Sequence, residues 1–323
     1  MKRWLILTEA GDSIGMGHLT RCQAIFEELG RVEAEPQSQM FVDVHGAFNI
    51  SGPGVRAFDW RSDIAAVAKM GGDFDAVLID SYLAEAGHFE ILNDAFRATA
   101  VIDDFSRLDY AATGVLNPNP YFKPMKAAVP HAGGKDFVIL RSAILQSKGR
   151  FQVAKELKRG LLTLGGDDVR NLVPKVVDAI GSSLELEIVA PMLNPQFKLD
   201  AGTGSRLHGR VSAEEMSDLM TSVDIAISAC GQTLHELAFL GVPTIGILVG
   251  DDQQQNMDFY ADIGFLQGRL RWDTPDSLKS LADAIEAYRS YSTRIEKCRL
   301  GWQTIDGKGV SRIGRWLDDL LAG

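Results

Sequence analysis

The sequence predicts an α/β protein made of two Rossmann-like, parallel-sheet domains facing a cleft. Three observations carry that expectation. The chain has 323 residues, more than a single hydrophobic core usually organises. Short apolar runs alternate with stretches patterned like helices, the signature of a parallel sheet covered by helices. The alternation stops in a stretch rich in proline and glycine and then starts again, and each half has an apolar run leading through a glycine turn into a helix.

In the first half the strand candidates are Trp4–Thr8, Met40–Val44, Ala76–Ile79 and Thr99–Ile102, with helical patterns over Leu19–Leu29, Ile64–Lys69 and Phe89–Phe96. Between Asn117 and Gly149 the periodicity fades among Pro118, Pro120, Pro124, Pro130 and Gly133-Gly134, so the connection between domains is expected toward the end of that stretch. Strands are then expected at Gly160–Leu164, Leu186–Ala190, Leu207–Val211, Asp224–Ser228 and Thr244–Val249. The matching helices are Asn171–Ile180, Ala213–Ser222, Thr233–Leu240, Ser277–Arg289 and Val310–Leu321. The expected domains are 1–148 and 149–323, the final helix packing back on the first. In open sheets of this kind a ligand sits beyond the carboxyl ends of the strands.

The balance of 33 basic and 43 acidic residues gives a net charge of −10. No basic run stands out, which argues against a nucleic-acid partner. Cys22, Cys230 and Cys298 lack C-x-x-C spacing and read as reduced thiols packed as small core residues. The apolar run after Met1-Lys2-Arg3 ends at Thr8-Glu9, too short for a signal peptide. No stretch reaches the roughly 18 apolar residues of a membrane helix. A cytoplasmic protein without stable membrane insertion is expected.

The chemistry concentrates in the turns. Ile14-Gly15-Met16-Gly17-His18-Leu19-Thr20-Arg21 follows the first strand and opens a helix. Its glycines leave backbone amides bare, and the histidine puts a proton-transfer group beside a potential anion site. In the second half, Ile227-Ser228-Ala229-Cys230-Gly231-Gln232-Thr233-Leu234-His235-Glu236 repeats the design. It reads either as a phosphate site with Glu236 accepting from a ribose diol, or as a plain strand-to-helix turn with a solvated glutamate. Leu164-Gly165-Gly166-Asp167-Asp168 could line the same cleft, although its paired carboxylates would repel phosphate. Gly250-Asp251-Asp252-Gln253-Gln254-Gln255-Asn256 suits hydroxyl recognition or is a solvated loop. Asp80-Ser81-Tyr82 and Asp103-Asp104 end strands, where they could orient water, bind sugar or cap turns. His45, His88, His131, His208 and His235 read as structural or surface residues. No metal-ligand spacing, serine elbow, Walker lysine or full dinucleotide fingerprint occurs, so neither metal nor cofactor is expected.

Taken together these segments resemble the PseG family, the UDP-2,4-diacetamido-2,4,6-trideoxy-β-L-altropyranose hydrolases of pseudaminic acid synthesis, and the related SpsG-type polysaccharide proteins. More widely the chain is similar to MurG-like GT-B glycosyltransferases. The resemblance rests on Ile14–Arg21, Val77–Tyr82, Val101–Asp104 with Leu116–Pro118, Phe137–Arg141, Leu162–Asp168, Ala226–Val242, Asp252–Asn256 and Ile305–Arg312, in family order. It implies a GT-B fold and metal-independent attack of water on the anomeric carbon of a UDP-sugar, with inversion. His18 takes the place of the catalytic base, and Tyr82 that of a supporting group. Gly231, Gln232, Thr233, Leu234 and Glu236 take the places that hold UDP. Gly15, Gly17, Arg21, Asp80, Gly165, Gly166, Asp252, Gln253 and Asn256 fall at further substrate-binding positions. The implied partner is the UDP-sugar alone, on a monomer or weak homo-oligomer. Four elements depart from the family: Arg-x-Asp reads Leu7-Thr8-Glu9, Asp-His-Tyr reads Asp80-Ser81-Tyr82, Gly-Gly-Ser-Asp reads Gly165–Asp168, and Asn-Gln reads Asp252-Gln253. Nucleotide-sugar binding therefore carries over better than the particular sugar. The alternatives are an inverting glycosyltransferase on the same fold and a non-catalytic nucleotide-sugar binder.

Overall fold

The structure, a computed structural model, describes residues 2–11, 14–31, 37–46, 49–124, 128–165, 170–191, 193, 197–199, 203–274 and 276–322. Contacts divide the chain into two compact units, Met1–Leu140 with Gly307–Gly323, and Arg141–Asp306.

The first unit is built on an eight-stranded sheet. Its strands and helices are β1 (Trp4–Gly11), α1 (Gly17–Arg31), β2 (Gln39–His45), β3 (Ser51–Gly52), β4 (Val55–Ala57), α2 (Ile64–Ala68), β5 (Ala76–Asp80), α3 (Ala86–Ala95), β6 (Ala98–Ile102), β7 (Gly114–Asn117) and β8 (His131–Gly133). The strand order is β3-β4-β2-β1-β5-β6-β7-β8, parallel except where β3 pairs antiparallel with β4. From β1 the chain builds outward through β2, then returns to lay β5 on the other side. The switch point therefore lies between β1 and β5, where ligands bind in open sheets. Both faces of β1 are buried: Trp4, Ile6 and Ala10 belong to one core cluster, Leu5 and Leu7 to the other. By the same alternation Glu9 shares a face with Leu5 and Leu7, and Asp80 shares one with Ala76 and Leu78, against which α1 packs.

The second unit carries α4 (Ser142–Gln146), β9 (Arg159–Thr163), α5 (Leu172–Ile180), β10 (Glu185–Val189), β11 (Arg206–His208), α6 (Ala213–Ser222), β12 (Ile225–Ala229), α7 (Gln232–Leu240), β13 (Thr244–Leu248), α8 (Gln254–Asp262), β14 (Leu270–Arg271), α9 (Ser277–Tyr288) and α10 (Tyr291–Thr304). Its sheet is parallel throughout, in the order β11-β10-β9-β12-β13-β14, with the switch point between β9 and β12. Helix α7 is buried from Leu234 to Leu240, its polar members His235 and Glu236 bonded to Tyr260 and Arg141.

The last helix, α11 (Gly309–Ala322), returns to the first unit. Val310, Ile313, Leu317 and Leu321 enter the same core cluster as Ile6 and Leu78. Two glycines make room for it. A Cβ on Gly114 would lie 2.7 Å from Trp316, and one on Gly309 would lie 2.0 Å from the Val138 carbonyl.

The unit boundary at Leu140 falls eight residues before the position expected from composition. Residues 141–148 group with the second unit because Arg141 pairs there with Glu236, Ala143 accepts from Ser217, and the Lys148 ammonium lies 4.8 Å over the Phe239 ring. Among the described residues no helix is long and apolar enough to cross a membrane. All three cysteines are free and buried. Burial pushes the Cys230 thiol up to about 12 and the Cys298 thiol up to about 11, as expected of packed rather than reactive sulfur.

Candidate active site

The histidine turn sits at the first unit's switch point. β1 ends at Gly11, where a Cβ would collide with the His45 carbonyl at 2.1 Å. The chain folds back so that the Gly15 amide donates to the Gly11 carbonyl (2.7 Å), and Gly15 takes φ +79, a conformation that favours glycine. α1 starts at Gly17. Its first turn sets His18 and Arg21 three residues apart on the face that meets the end of β5.

Asp80 joins the two. Its Oδ1 lies 2.7 Å from His18 Nδ1, and Arg21 donates to it through Nε and Nη2, each at 2.5 Å. Arg21 Nη1 continues to Asp104 at 2.7 Å. Asp104 also accepts from the Tyr82 hydroxyl (2.5 Å) and from Asn119 (2.7 Å), while its carbonyl accepts from Asn117 and Tyr121. The Tyr82 ring meets the imidazole edge-on, with centroids 4.3 Å apart. Asp80 has no exposed surface, and His18 is 6% exposed.

This geometry fixes the imidazole's hydrogen. Burial by itself would raise the Asp80 carboxyl, but Arg21 and then His18 lower it by more and hold it well below the usual carboxylate range. An ionised carboxylate only accepts. The 2.7 Å contact therefore puts the hydrogen on Nδ1 and leaves the Nε2 lone pair free in the neutral ring. Burial also works against the Arg21 charge, but Asp104 and Asp80 outweigh it and keep the guanidinium protonated. Burial and then the Asp104 charge push the Tyr82 hydroxyl far above its ordinary value, making it a donor rather than a base.

Around the first turn the structure gathers carboxylates: Glu9, Asp80 and Asp104 are all buried, and Asp80 and Asp104 bond to its side chains. Arg21, expected to touch substrate, has Nε, Nη1 and Nη2 committed to carboxylates, and Asp80 is wholly buried behind His18. Asp80 holds the imidazole through Nδ1, and Arg21 holds Asp80. Asp103 takes the capping role, accepting from the Phe105 and Arg107 amides. Asn119 was not singled out, Glu9 entered only as a departure from the family pattern, and Asp104 entered only as one of two strand-end aspartates. The strand-end positions of Asp104 and Glu9 were the available signal.

The second turn is built differently. Gly231 precedes α7 in an extended conformation (φ −94), and the Cys230 amide donates to the Gln253 side-chain oxygen at 3.0 Å, tying the 250–256 loop to this turn. Gln232 and Thr233 are half-buried at the helix start. Leu234 is fully buried, and its amide already donates to the Gly231 carbonyl (3.0 Å). It supports the turn rather than touching a ligand. Glu236 is 1% exposed and is held through both oxygens by Arg141, at 2.7 Å each. The expected solvated or diol-binding carboxylate is thus half of a bidentate ion pair, each oxygen keeping one further lone pair. Burial opposes the Arg141 charge, but Glu236 more than restores it. Asp252 is exposed and Asn256 is buried in the first turn of α8. Gly165 adopts φ +106; Gly166, Asp167 and Asp168 lie outside the described residues. Gly17 has open space around it. His45, His88, His131, His208 and His235 each hold a local partner: His45 approaches Asp43, His88 accepts from the Glu85 amide, His131 bonds Val129, His208 pairs with Glu187, and His235 meets Tyr260. Among the described residues no cluster of three or more His, Cys, Asp or Glu side chains is arranged to hold a metal ion.

The two parallel-sheet α/β units match solved structures over the whole chain. Acinetobacter baumannii MurG superposes with a TM-score of 0.67 at 16% identity, covering 98% of this chain and 99% of MurG. The fold is GT-B. In sequence the chain is similar to a Helicobacter pylori protein, pseudaminic acid cytidylyltransferase and UDP-2,4-diacetamido-2,4,6-trideoxy-beta-L-altropyranose hydrolase. Identity is 23% over 290 residues, 87% of this chain and 50% of the relative. It is also similar to the Bacillus subtilis spore coat polysaccharide biosynthesis protein SpsG, at 28% over 206 residues, 58% of each. The chain thus spans between half and three-fifths of the length of these curated relatives. No family model matches it.

Proposed function

We propose that this protein hydrolyses a UDP-activated amino or deoxy sugar at its anomeric carbon, releasing UDP and free sugar, in nonulosonic acid or surface-polysaccharide synthesis. The observation that carries this reading is the His18–Asp80 pair: an imidazole with Nδ1 anchored on a buried carboxylate and Nε2 left as a base. In the proposed step Nε2 takes a proton from water while the water oxygen bonds to the anomeric carbon on the face opposite UDP. The bond from that carbon to the phosphate oxygen breaks, and its electron pair leaves with UDP. Asp80 stabilises the imidazolium. Help of this kind is worth ~10²–10⁴ in rate. The second unit is assigned to the nucleotide: the start of α7 suits a negatively charged group, and Arg141–Glu236 is assigned to the ribose.

The name of the H. pylori relative supports hydrolysis; solved structures titled as glycosyltransferases share the fold and support the second reading, glycosyl transfer, in which the same base would deprotonate an acceptor hydroxyl. A panel of nucleotide-sugars without acceptor, read by mass spectrometry, separates them. Equal amounts of free sugar and UDP are expected. An absolute requirement for an acceptor would replace hydrolysis with transfer, and binding without turnover at any pH would leave a nucleotide-sugar binder.

A further inference from the structure

Glu9 has no exposed surface, and both of its oxygens accept hydrogen bonds. The Tyr82 amide donates to Oε1 at 2.8 Å, and the Ser81 hydroxyl donates to Oε2. The direction of the second bond is fixed. Ser81 Oγ already accepts from the Leu83 and Ala84 amides (3.1 and 3.0 Å), so its single hydrogen goes to Glu9. A carboxylate taken out of water is costly unless it is matched by positive charge. Among the described residues, the only group able to carry positive charge within ion-pair range of Glu9 is His18, whose Nε2 lies 4.0 Å from Oε1. On the neighbouring strand the register partner of Glu9 is Asp43, itself engaged with Arg61 (2.6 Å) and near His45.

The imidazole therefore has a carboxylate toward each nitrogen. Asp80, from β5, is hydrogen-bonded to Nδ1. Glu9, from β1, stands off Nε2 at a distance too long for a hydrogen bond, so the lone pair stays uncommitted. The other polar groups around the ring are Arg21 on its own helix, with Nη2 3.3 Å from Nδ1, the Tyr82 ring, and Asp104 behind both Arg21 and Tyr82.

We infer that Glu9 is a positioning residue that acts through His18, as the buried counter-charge of the imidazolium formed when Nε2 takes its proton. The inference rests on His18 being the base. The proton passes from water to Nε2, the electron pair leaves with UDP, and Glu9 neither gains nor loses a proton. While the ring is neutral, Glu9 has no cation to meet; once it is charged, the two attract at close range in a site shielded from water. An interaction that appears only along the reaction path raises kcat and leaves substrate affinity alone. Serine at 81 supplies the hydroxyl that fixes the Glu9 carboxylate.

The test is Glu9→Gln, which keeps the shape and removes the charge. It is expected to lower kcat about tenfold or more with KM changed less than about twofold, and to move the ring titration of His18, followed by nitrogen-15 NMR, about one pH unit to the acid side. Glu9→Asp, which retains the charge, is expected to restore part of both. A ring titration unmoved in Glu9→Gln overturns the inference whatever kcat does. If that variant does not fold, the wild-type protein carries the test: the Glu9 carboxyl carbon-13 resonance is expected to shift as His18 titrates, and a resonance flat through that range overturns the inference. Neither NMR measurement needs substrate. A protein that turned over no UDP-sugar would remove the proposed function and leave this inference to the titration.

Discussion

The turns after β1 and β12 share one plan and use it in opposite ways. Each joins a buried parallel strand to a helix at a switch point. After β1 the helix start is filled by side chains, where His18 and Arg21 are locked among three buried carboxylates. After β12 the helix start is lined by small or half-buried residues, and its one buried charge, Glu236, is neutralised a turn further in by Arg141. The first turn gathers ionised side chains around its imidazole; the second keeps its buried ion pair a turn in from the helix start. The same local fold is specialised by where its ionised groups point.

The comparison can be broken most decisively at the base. His18→Ala is expected to lower kcat by ~10²–10⁴ while UDP affinity, measured by calorimetry, stays within a few-fold. A variant that kept its turnover would show that the first turn does not do the chemistry. Asp80→Asn comes next, since it removes the charge on the Nδ1 anchor and leaves Arg21 with Asp104 as its remaining carboxylate. Removing one partner of a buried pair costs about 3–5 kcal/mol, readable by urea unfolding. The pH dependence has a definite sign. The Asp80 carboxyl is held lower in the folded protein than in the unfolded chain, so its contribution is complete above the ordinary carboxylate value of about 3.9 and is lost as pH falls through the depressed one. The stability gap between wild type and Asp80→Asn should therefore be constant near neutrality and shrink below about pH 4.

On the other side of the comparison, Arg141→Ala leaves Glu236 buried and unpaired. It is expected to weaken UDP binding by about tenfold or more and to raise KM with a smaller effect on kcat. The smallest effects separate the turns through their glycines. Gly15→Ala forces a side chain into φ +79 with nothing in its way, a strain of about 1–2 kcal/mol. Gly231→Ala, at φ −94 with its nearest neighbour 3.6 Å away, should change thermal stability by no more than about 0.5 kcal/mol.

Much of the architecture was legible because buried parallel strands are written as apolar runs. Trp4–Thr8, Ala76–Ile79 and Thr244–Val249 fall on β1, β5 and β13. The elements that escaped lack that signal. β3, β4, β8 and β14 are only two or three residues long, too short to show a period. α10 escaped because its inward face carries Arg294 and Lys297, whose long side chains reach buried backbone carbonyls, so no apolar stripe marks it. At the site, the turn and the resemblance pointed to His18 and Tyr82, whose rings lie in edge-on contact. That Asp80 bonds His18 and Arg21 was not legible, because a strand-end aspartate looks the same whether it faces a ligand or a neighbouring helix. Arg141 lies 95 residues from Glu236, and no local pattern announces such a partner.

The return of α11 to the first unit has a consequence for how the protein is made. During synthesis β1 to β8 leave the ribosome early, but the surface they offer to Val310, Ile313 and Leu317 stays uncovered until the whole of Arg141–Asp306 has been translated. The second unit, continuous in sequence, can close first. The unit begun first is therefore completed last, and during that interval a chaperone or a stray apolar segment would find an open groove where the final helix belongs.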